Sequence, residues 1–433
     1  MIIGSVYRKC VFFAFGSVLA SFICLTANGQ KNKEPQPDGT EGEIFSSKDS
    51  ADLLPFKKES KYPRWNEFDG PASTLKLSMG FMYDYAAYKQ DEASKEQVTL
   101  EPEFKVRDFR VILSGKLKNN RDITWRAGIM YDGVSKSWLL RETGVMIHFP
   151  KISGYIFVGR TKEGYSLVKV MNGHSIWGLE RPMHVDIIPI LADGIKYLGY
   201  LPKQHIVMNI GMFANWASNG QSFSTYKYQF VSRVAWLPIY TDVYKPVLHI
   251  GVNYRWGQVN NDSLTVRSKP ETNEAPYFVN AGKFWVDHSN HIGGEIYFRT
   301  GPLLMGTEFN AHIMHSPQNG NPVFKGANIF ALYSITGEVR PYLTSTGIFG
   351  FLKVKKTVFE GGPGSWEVML SYSQLDLNSG SITGGKFWRI TPAVIWQLTN
   401  IYRLSFAWGY GVLNESEIKG TTQFFQARFG FIF

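Results

Sequence analysis

The chain has 433 residues, of which 44% are hydrophobic and 19% charged, with a formal net charge of +10. That is too polar on average for a helical membrane protein, and after residue 30 no run of eighteen apolar residues is present to form a transmembrane helix. Aromatic residues reach 15% and glycines number 42, a balance that favours a transmembrane β-barrel over a soluble enzyme.

Residues 1–29 read as a secretory signal peptide. Arg8 and Lys9 form its basic start, Val11 to Leu25 its apolar stretch, and Ala27 and Gly29 the small residues before cleavage. Cys10 and Cys24 both lie inside it, so the mature chain is expected to hold no disulfide and no Cys-ligated metal. Removing Arg8 and Lys9 with it takes the net charge from +10 to +8. A basic exported chain attracts anionic lipid, lipopolysaccharide, nucleic acid or small anions. The barrel reading keeps outer-membrane lipid, lipopolysaccharide and small anions as partners and drops nucleic acid.

Residues 30–70 are rich in Lys, Glu, Pro, Asp and Ser, the composition of a poorly ordered periplasmic leader. Residues 71–433 carry strand-like alternation. Leu75, Leu77, Met79, Phe81, Tyr83 and Tyr85 share one face of the first strand, opposite Lys76, Ser78, Gly80, Met82 and Asp84. The segment 104–118 sets Phe109, Val111 and Leu113 against Asp108, Arg110 and Ser114. Trp125, Ala127, Ile129 and Tyr131 then oppose Thr124, Arg126 and Gly128. Further strands are predicted near residues 145, 157, 197, 210, 234, 251, 282, 296, 308 and 331.

The last third repeats the pattern most clearly. Trp388, Ile390, Val394 and Trp396 oppose Arg389, Thr391 and Gln397. Tyr402, Leu404, Phe406, Trp408 and Tyr410 oppose Arg403, Ser405 and Gly409. Phe425, Phe429, Phe431 and Phe433 share a face, opposite Gln426, Arg428 and Gly430. A terminal strand ending on Phe also looks like the export signal of outer-membrane barrels. The sum is an all-β transmembrane antiparallel barrel of about sixteen strands, with aromatics to lipid and charged residues to a wet lumen. Two stretches break the rhythm, 162–190 and 342–363. Of these, 162–182 is the better candidate for a constriction loop folded into the pore.

By this parity eight arginines face the lumen: Arg110, Arg126, Arg233, Arg255, Arg299, Arg389, Arg403 and Arg428. Arginine stays protonated and offers a planar fork of donors suited to phosphate oxygens. Asp108, Asp132, Glu295, Glu308 and Glu367 face inward too, so wall pairing is the plainer role for any single arginine. The loop from Gly159 holds a second set of cations, Arg160, Lys162, Lys169 and Arg181. Histidines three apart, His288 with His291 and His312 with His315, point to opposite faces of a strand. Asp287, His288 and Ser289 are mere chain neighbours, so neither a metal site nor a catalytic triad is predicted.

Two segments carry a family resemblance. ITGEVRPY from Ile335, and GGPGSWEVMLSYSQLDLNSGSITGG from Gly361, resemble signature segments of the phosphate-selective porin O and P family. The likeness runs from about Lys105 to the C-terminus. GRTKEGYS from Gly159, with the later Glu180–Arg181 pair, is similar to the family's segment leading into its constriction loop; Lys162, Glu180 and Arg181 carry over. Gly164 stands where the family has Pro, Tyr165 where it has Phe, and Ser371 where its W-E-x-x-x-R-Y motif has Arg. The resemblance implies a passive outer-membrane anion porin for phosphate or polyphosphate, a homotrimer, with no cofactor and no reaction. Glu180 is expected to orient Arg181. Two other readings stay open: a plugged or structural outer-membrane barrel, and a soluble exported sandwich that binds glycans through its aromatics.

Overall fold

Period-two alternation folds into a closed sheet. The computed structural model describes residues 65–218 and 225–433; the signal peptide and nearly all of the leader lie outside them. The sixteen barrel strands are β1 (Thr74–Gln90), β2 (Glu103–Lys116), β3 (Ile123–Asp132), β4 (Thr143–Phe149), β5 (Gly154–Lys162), β6 (Leu191–Leu201), β7 (Ile206–Ala214) and β8 (Tyr226–Ile239). The second half comprises β9 (Val247–Val259), β10 (His288–Thr300), β11 (Leu303–Met314), β12 (Val323–Ser334), β13 (Ser365–Ser379), β14 (Ile382–Gln397), β15 (Tyr402–Glu415) and β16 (Ile418–Ile432). Each pairs antiparallel with the next, and β16 pairs back onto β1 from Gly80↔Ile432 to Gln90↔Thr422, so no edge is left open.

The aromatic and aliphatic parity faces outward. Phe406, Trp408, Phe425 and Phe429 are exposed, as are Trp236, Val252, Ile292 and Phe309 on distant strands. No helix among the described residues is long and apolar enough to cross a membrane; the strands form the apolar belt.

The strand number agrees with the sequence pattern, but one member differs. The run near residue 282 (Val279–Trp285) pairs with Ser263–Ser268 in a separate hairpin above the mouth. The place is taken by β13, whose inward positions include Met369, Leu375 and Leu377. Apolar residues on both faces hide the alternation there. At the upstream end, Glu67–Asp69 pairs with β1, and Trp65 packs on Phe433 with ring centroids 5.1 Å apart. The end of the polar leader segment is therefore part of the rim.

Alternating strand direction sorts the connections onto two rims. The lower rim, beside Phe433, has tight turns such as 150–153 and 301–302, with one long exception, 335–364. The upper rim carries 163–190 and 260–287. All three long segments turn inward, so the hydrophobic core sits inside the barrel. Trp177 of 163–190 stacks on Phe330 of β12 at 4.4 Å and meets Phe349 of 335–364 at 6.4 Å. A second cluster joins Val266, Phe278 and Val279 of 260–287 to Phe387 and Phe424 of the wall.

Candidate functional site: a loop-filled lumen

Loop 163–190 is bound to the wall by carboxylates meeting backbone amides. Glu295 and Glu308 are cross-strand partners on β10 and β11. Leu167 N donates to Glu295 Oε2 at 2.8 Å and Val168 N to Glu308 Oε1 at 3.0 Å. Ser166 Oγ donates to Glu308 Oε2 at 2.5 Å and accepts from Lys169 N at 3.2 Å, capping the short helix Leu167–Val170. Ser166 sits at φ +64°, a left-handed conformation that costs an L-residue on the order of 1–3 kcal/mol, offset here by these bonds.

The loop cations close the loop on itself. Lys162 Nζ donates to Val170 O and Met171 O at 3.1 and 3.2 Å. Lys169 Nζ donates to Val185 O and to Ile188 O, and burial pushes its ammonium down to about 8. Arg181 donates to Val168 O at 3.1 Å and Met171 O at 2.7 Å. Arg160 bonds Leu140 O at 2.8 Å and Asp193 Oδ1 at 3.1 Å. The four are not gathered on an open constriction: each spends donors on carbonyls or on a wall acid, because a cation taken out of water must be paired. Glu180 does not orient Arg181 either. It accepts from Arg107 Nε at 2.7 Å and Arg428 Nη2 at 2.5 Å. Burial pushes its carboxyl up, but these two guanidiniums outweigh burial and hold it at about 2.

All eight wall arginines face inward, and most serve as posts for in-folded chain. Arg110 pairs with Asp108 and reaches Asn172 Oδ1 at 3.2 Å. Arg255 pairs with Glu163 at 2.5 Å. Arg233 joins Glu295 at 2.7 Å to the carbonyls of Thr346 and Gly347. Arg299 donates to the carbonyls of Val243, Lys245 and Arg340. Arg389 holds Pro270 O at 2.6 Å, lying over Gly409, where a Cβ would come within 2.3 Å of its Nε. Arg403 donates to His174 O and Ile176 O at 3.0 and 2.8 Å. Arg428 forms a bidentate pair with Asp84. Arg126 lies 3.6 Å from Glu142.

Arg107 and Arg340 are among the inward cations that escape the sequence pattern. Arg107 sits at a register shift where Met82 pairs Asp108 but Tyr83 pairs Val106, and a bulge of this kind breaks parity. Arg340 lies in the ITGEVRPY segment. It makes a bidentate pair with Glu367 of the SWE segment at 2.9 and 2.6 Å and donates to Ser175 O at 2.7 Å. The two signature segments thus form one unit that docks 335–364 against both wall and upper loop. Their order in the chain was visible, but their contact was not.

Among the described residues, twelve Arg and Lys and eleven Asp and Glu are buried, so fully buried charge is nearly balanced and any ion preference depends on local placement. Two internal cavities of about 30 Å³ border Gly178. The middle one is lined by Glu180, Glu271, Ser371, Ser373, Arg389 and Gln426. The lower one is lined by Met82, His174, Arg403 and Arg428, with no carboxylate. Ser371, where the family motif has Arg, faces the middle cavity.

This architecture is that of a transmembrane β-barrel of porin size. The family model described as "Phosphate-selective porin O and P" matches residues 75–431, and the chain belongs to that family. It is an outer-membrane porin. Among solved structures, the chain resembles an anion-selective porin from Comamonas acidovorans, with 11% identity and TM-score 0.50, covering 83% of this chain and 100% of that one. It also resembles the trimer form of OmpT of Vibrio cholerae, with 10% identity and TM-score 0.50, covering 84% of this chain and 100% of that one. Identities this low speak for the fold alone. A curated relative from Caulobacter vibrioides, described as an uncharacterized protein, is 26% identical over 171 residues, which span 39% of this chain and 34% of the relative.

Proposed function

We propose that this porin passes small anions, phosphate among them, along the seam between loop 163–190 and the wall, and that the packed lumen is its closed state. The observation that carries the reading is the lower cavity, whose polar lining includes two arginines and no carboxylate. The middle cavity, which also borders Gly178, brings Arg389 together with Glu180 and Glu271. Arg428 is offset by Asp84 and Glu180, so the group that favours an anion in the lower cavity is Arg403, whose bonds go to Ser405 Oγ and the carbonyls of His174 and Ile176. A guanidinium fork suits phosphate oxygens, and a confined site screens it less than bulk water does. The family's description and the likeness to an anion-selective porin support the same solute class.

Opening requires loop 163–190 to withdraw partly from the wall. In that movement Lys169 and Arg181 travel with the loop, whereas Lys162 at the end of β5 and Arg389, Arg403 and Arg428 stay on the wall. The protein acts as a channel, without chemistry or cofactor. It sits as a homotrimer among outer-membrane lipid and lipopolysaccharide, an assembly supported by the trimer form of the OmpT neighbour.

A second reading, a permanently plugged barrel, is favoured by the apolar packing of Trp177 on Phe330. Planar-bilayer recording of the purified protein in a potassium chloride gradient separates the two. The anion reading expects discrete openings with an anion-selective reversal potential, and partial block of chloride current by added phosphate. A cation-selective potential would overturn it, and no conductance at any voltage would establish the plug.

A further inference from the structure

The upper rim brings three metal-ligating side chains together where the lid hairpin returns to the wall. Asp287 follows the hairpin, His288 opens β10, and His315 directly follows β11. Chain order gave no hint of this, because His288 and His315 meet only across neighbouring strands. The backbone fixes the frame: Asp287 N donates to His315 O at 3.1 Å, and His315 N donates to His288 O at 2.9 Å. Gln258 of β9 buttresses the acid from a third strand, its Nε2 donating to Asp287 Oδ1 at 2.8 Å. Asp287 Oδ2 lies 2.7 Å from His288 Nδ1, so both atoms can reach one ion that takes the place of the proton between them. The two imidazoles lie face to face, with centroids 4.6 Å apart and an interplanar angle of 23°.

We infer that Asp287, His288 and His315 form a binding site for a late first-row divalent cation such as zinc, nickel or copper. One ligand atom from each residue falls within 4.8 Å of the other two. Metal–nitrogen bonds of about 2.1 Å ask these atoms to close by about 1 Å, which side-chain rotation supplies on a fixed backbone. His315 is exposed and Asp287 and His288 are partly exposed, so an ion has an entry path and a position is left for water. Two imidazoles with one carboxylate select this class over calcium or magnesium, which require oxygen donors. Occupancy pins the lid's returning leg to the rim turn after β11, where Ser316 Oγ already bonds Trp285 O.

The test is copper(II) titration of the untagged full-length protein in detergent, followed by electron paramagnetic resonance. The expected result is one tightly bound equivalent with two-nitrogen hyperfine structure. His315→Ala should reduce this to one nitrogen, and His288→Ala should weaken binding at least about tenfold. Both positions are on the accessible rim, and circular dichroism checks that each variant keeps its barrel. No binding by the natural chain, or the same spectrum and stoichiometry in both variants, overturns the site.

Discussion

Arg340→Ala should unlock the lumen. Arg340 and Glu367 are both almost fully buried, and their bidentate pair is reinforced by the bond to Ser175 O. Removing the guanidinium leaves the Glu367 carboxylate buried without its main partner, which typically costs about 3–5 kcal/mol. The loss falls on the docked state, because a released segment 335–364 lets water reach the acid. About 3 kcal/mol is a shift of roughly 10²-fold in the closed-to-open ratio. Single-channel recording reads this directly as open probability. Replacing both partners by apolar residues, Arg340→Met with Glu367→Leu, should restore closure, since no charge is then stranded. An assembled Arg340→Ala barrel with the open probability of the natural chain would refute the reasoning.

Burial holds the His174 and His184 imidazoles of loop 163–190 at about 4, below their ordinary 6.5, so the released loop binds more protons between those values. Their contribution to docking is full above pH 6.5 and is lost as pH falls toward 4; open probability should rise over that window, less steeply in His184→Gln. Lys169 acts in the same direction at higher pH, docking tightening between about 8 and 10.5 as the released loop sheds its extra proton. Phe406→Arg places a charge on the exposed outer face and should impair assembly by roughly 2–4 kcal/mol near the midplane, whereas Arg403→Ala, three positions away and inward, should assemble; insertion into outer-membrane vesicles compares them. Ser371→Arg should fill the middle cavity and alter phosphate block of chloride current, while Ser373→Ala beside it should change little.

The barrel was legible because lipid imposes one rule on every strand: apolar residues out. That rule placed all eight wall arginines inward without any tertiary information. It failed where the lumen is dry. β13 lost its contrast because Met369 and Leu375 face a packed interior, and the lid strand Val279–Trp285 imitated a wall strand because it rests on the mouth. A signal for the plug was present. Tyr297, Phe330, Phe387 and Phe424 are aromatics on the inward parity, which a water-filled lumen would not reward, and all four are buried. The roles of the loop cations were not legible, since sequence shows that Lys162 and Arg181 are charged but not which carbonyls they meet.

The account places selectivity on the fixed wall arginines of the seam rather than on the cations that tie the loop down. Reversal potentials of Arg403→Glu and Lys162→Glu in the same salt gradient test that division most directly. Arg403 lines the lower cavity and remains there when the loop moves, whereas Lys162 is spent on Val170 O and Met171 O. Arg403→Glu should therefore move the reversal potential strongly toward cations, with Lys162→Glu changing open probability more than selectivity. A large selectivity shift from Lys162→Glu with none from Arg403→Glu would contradict it.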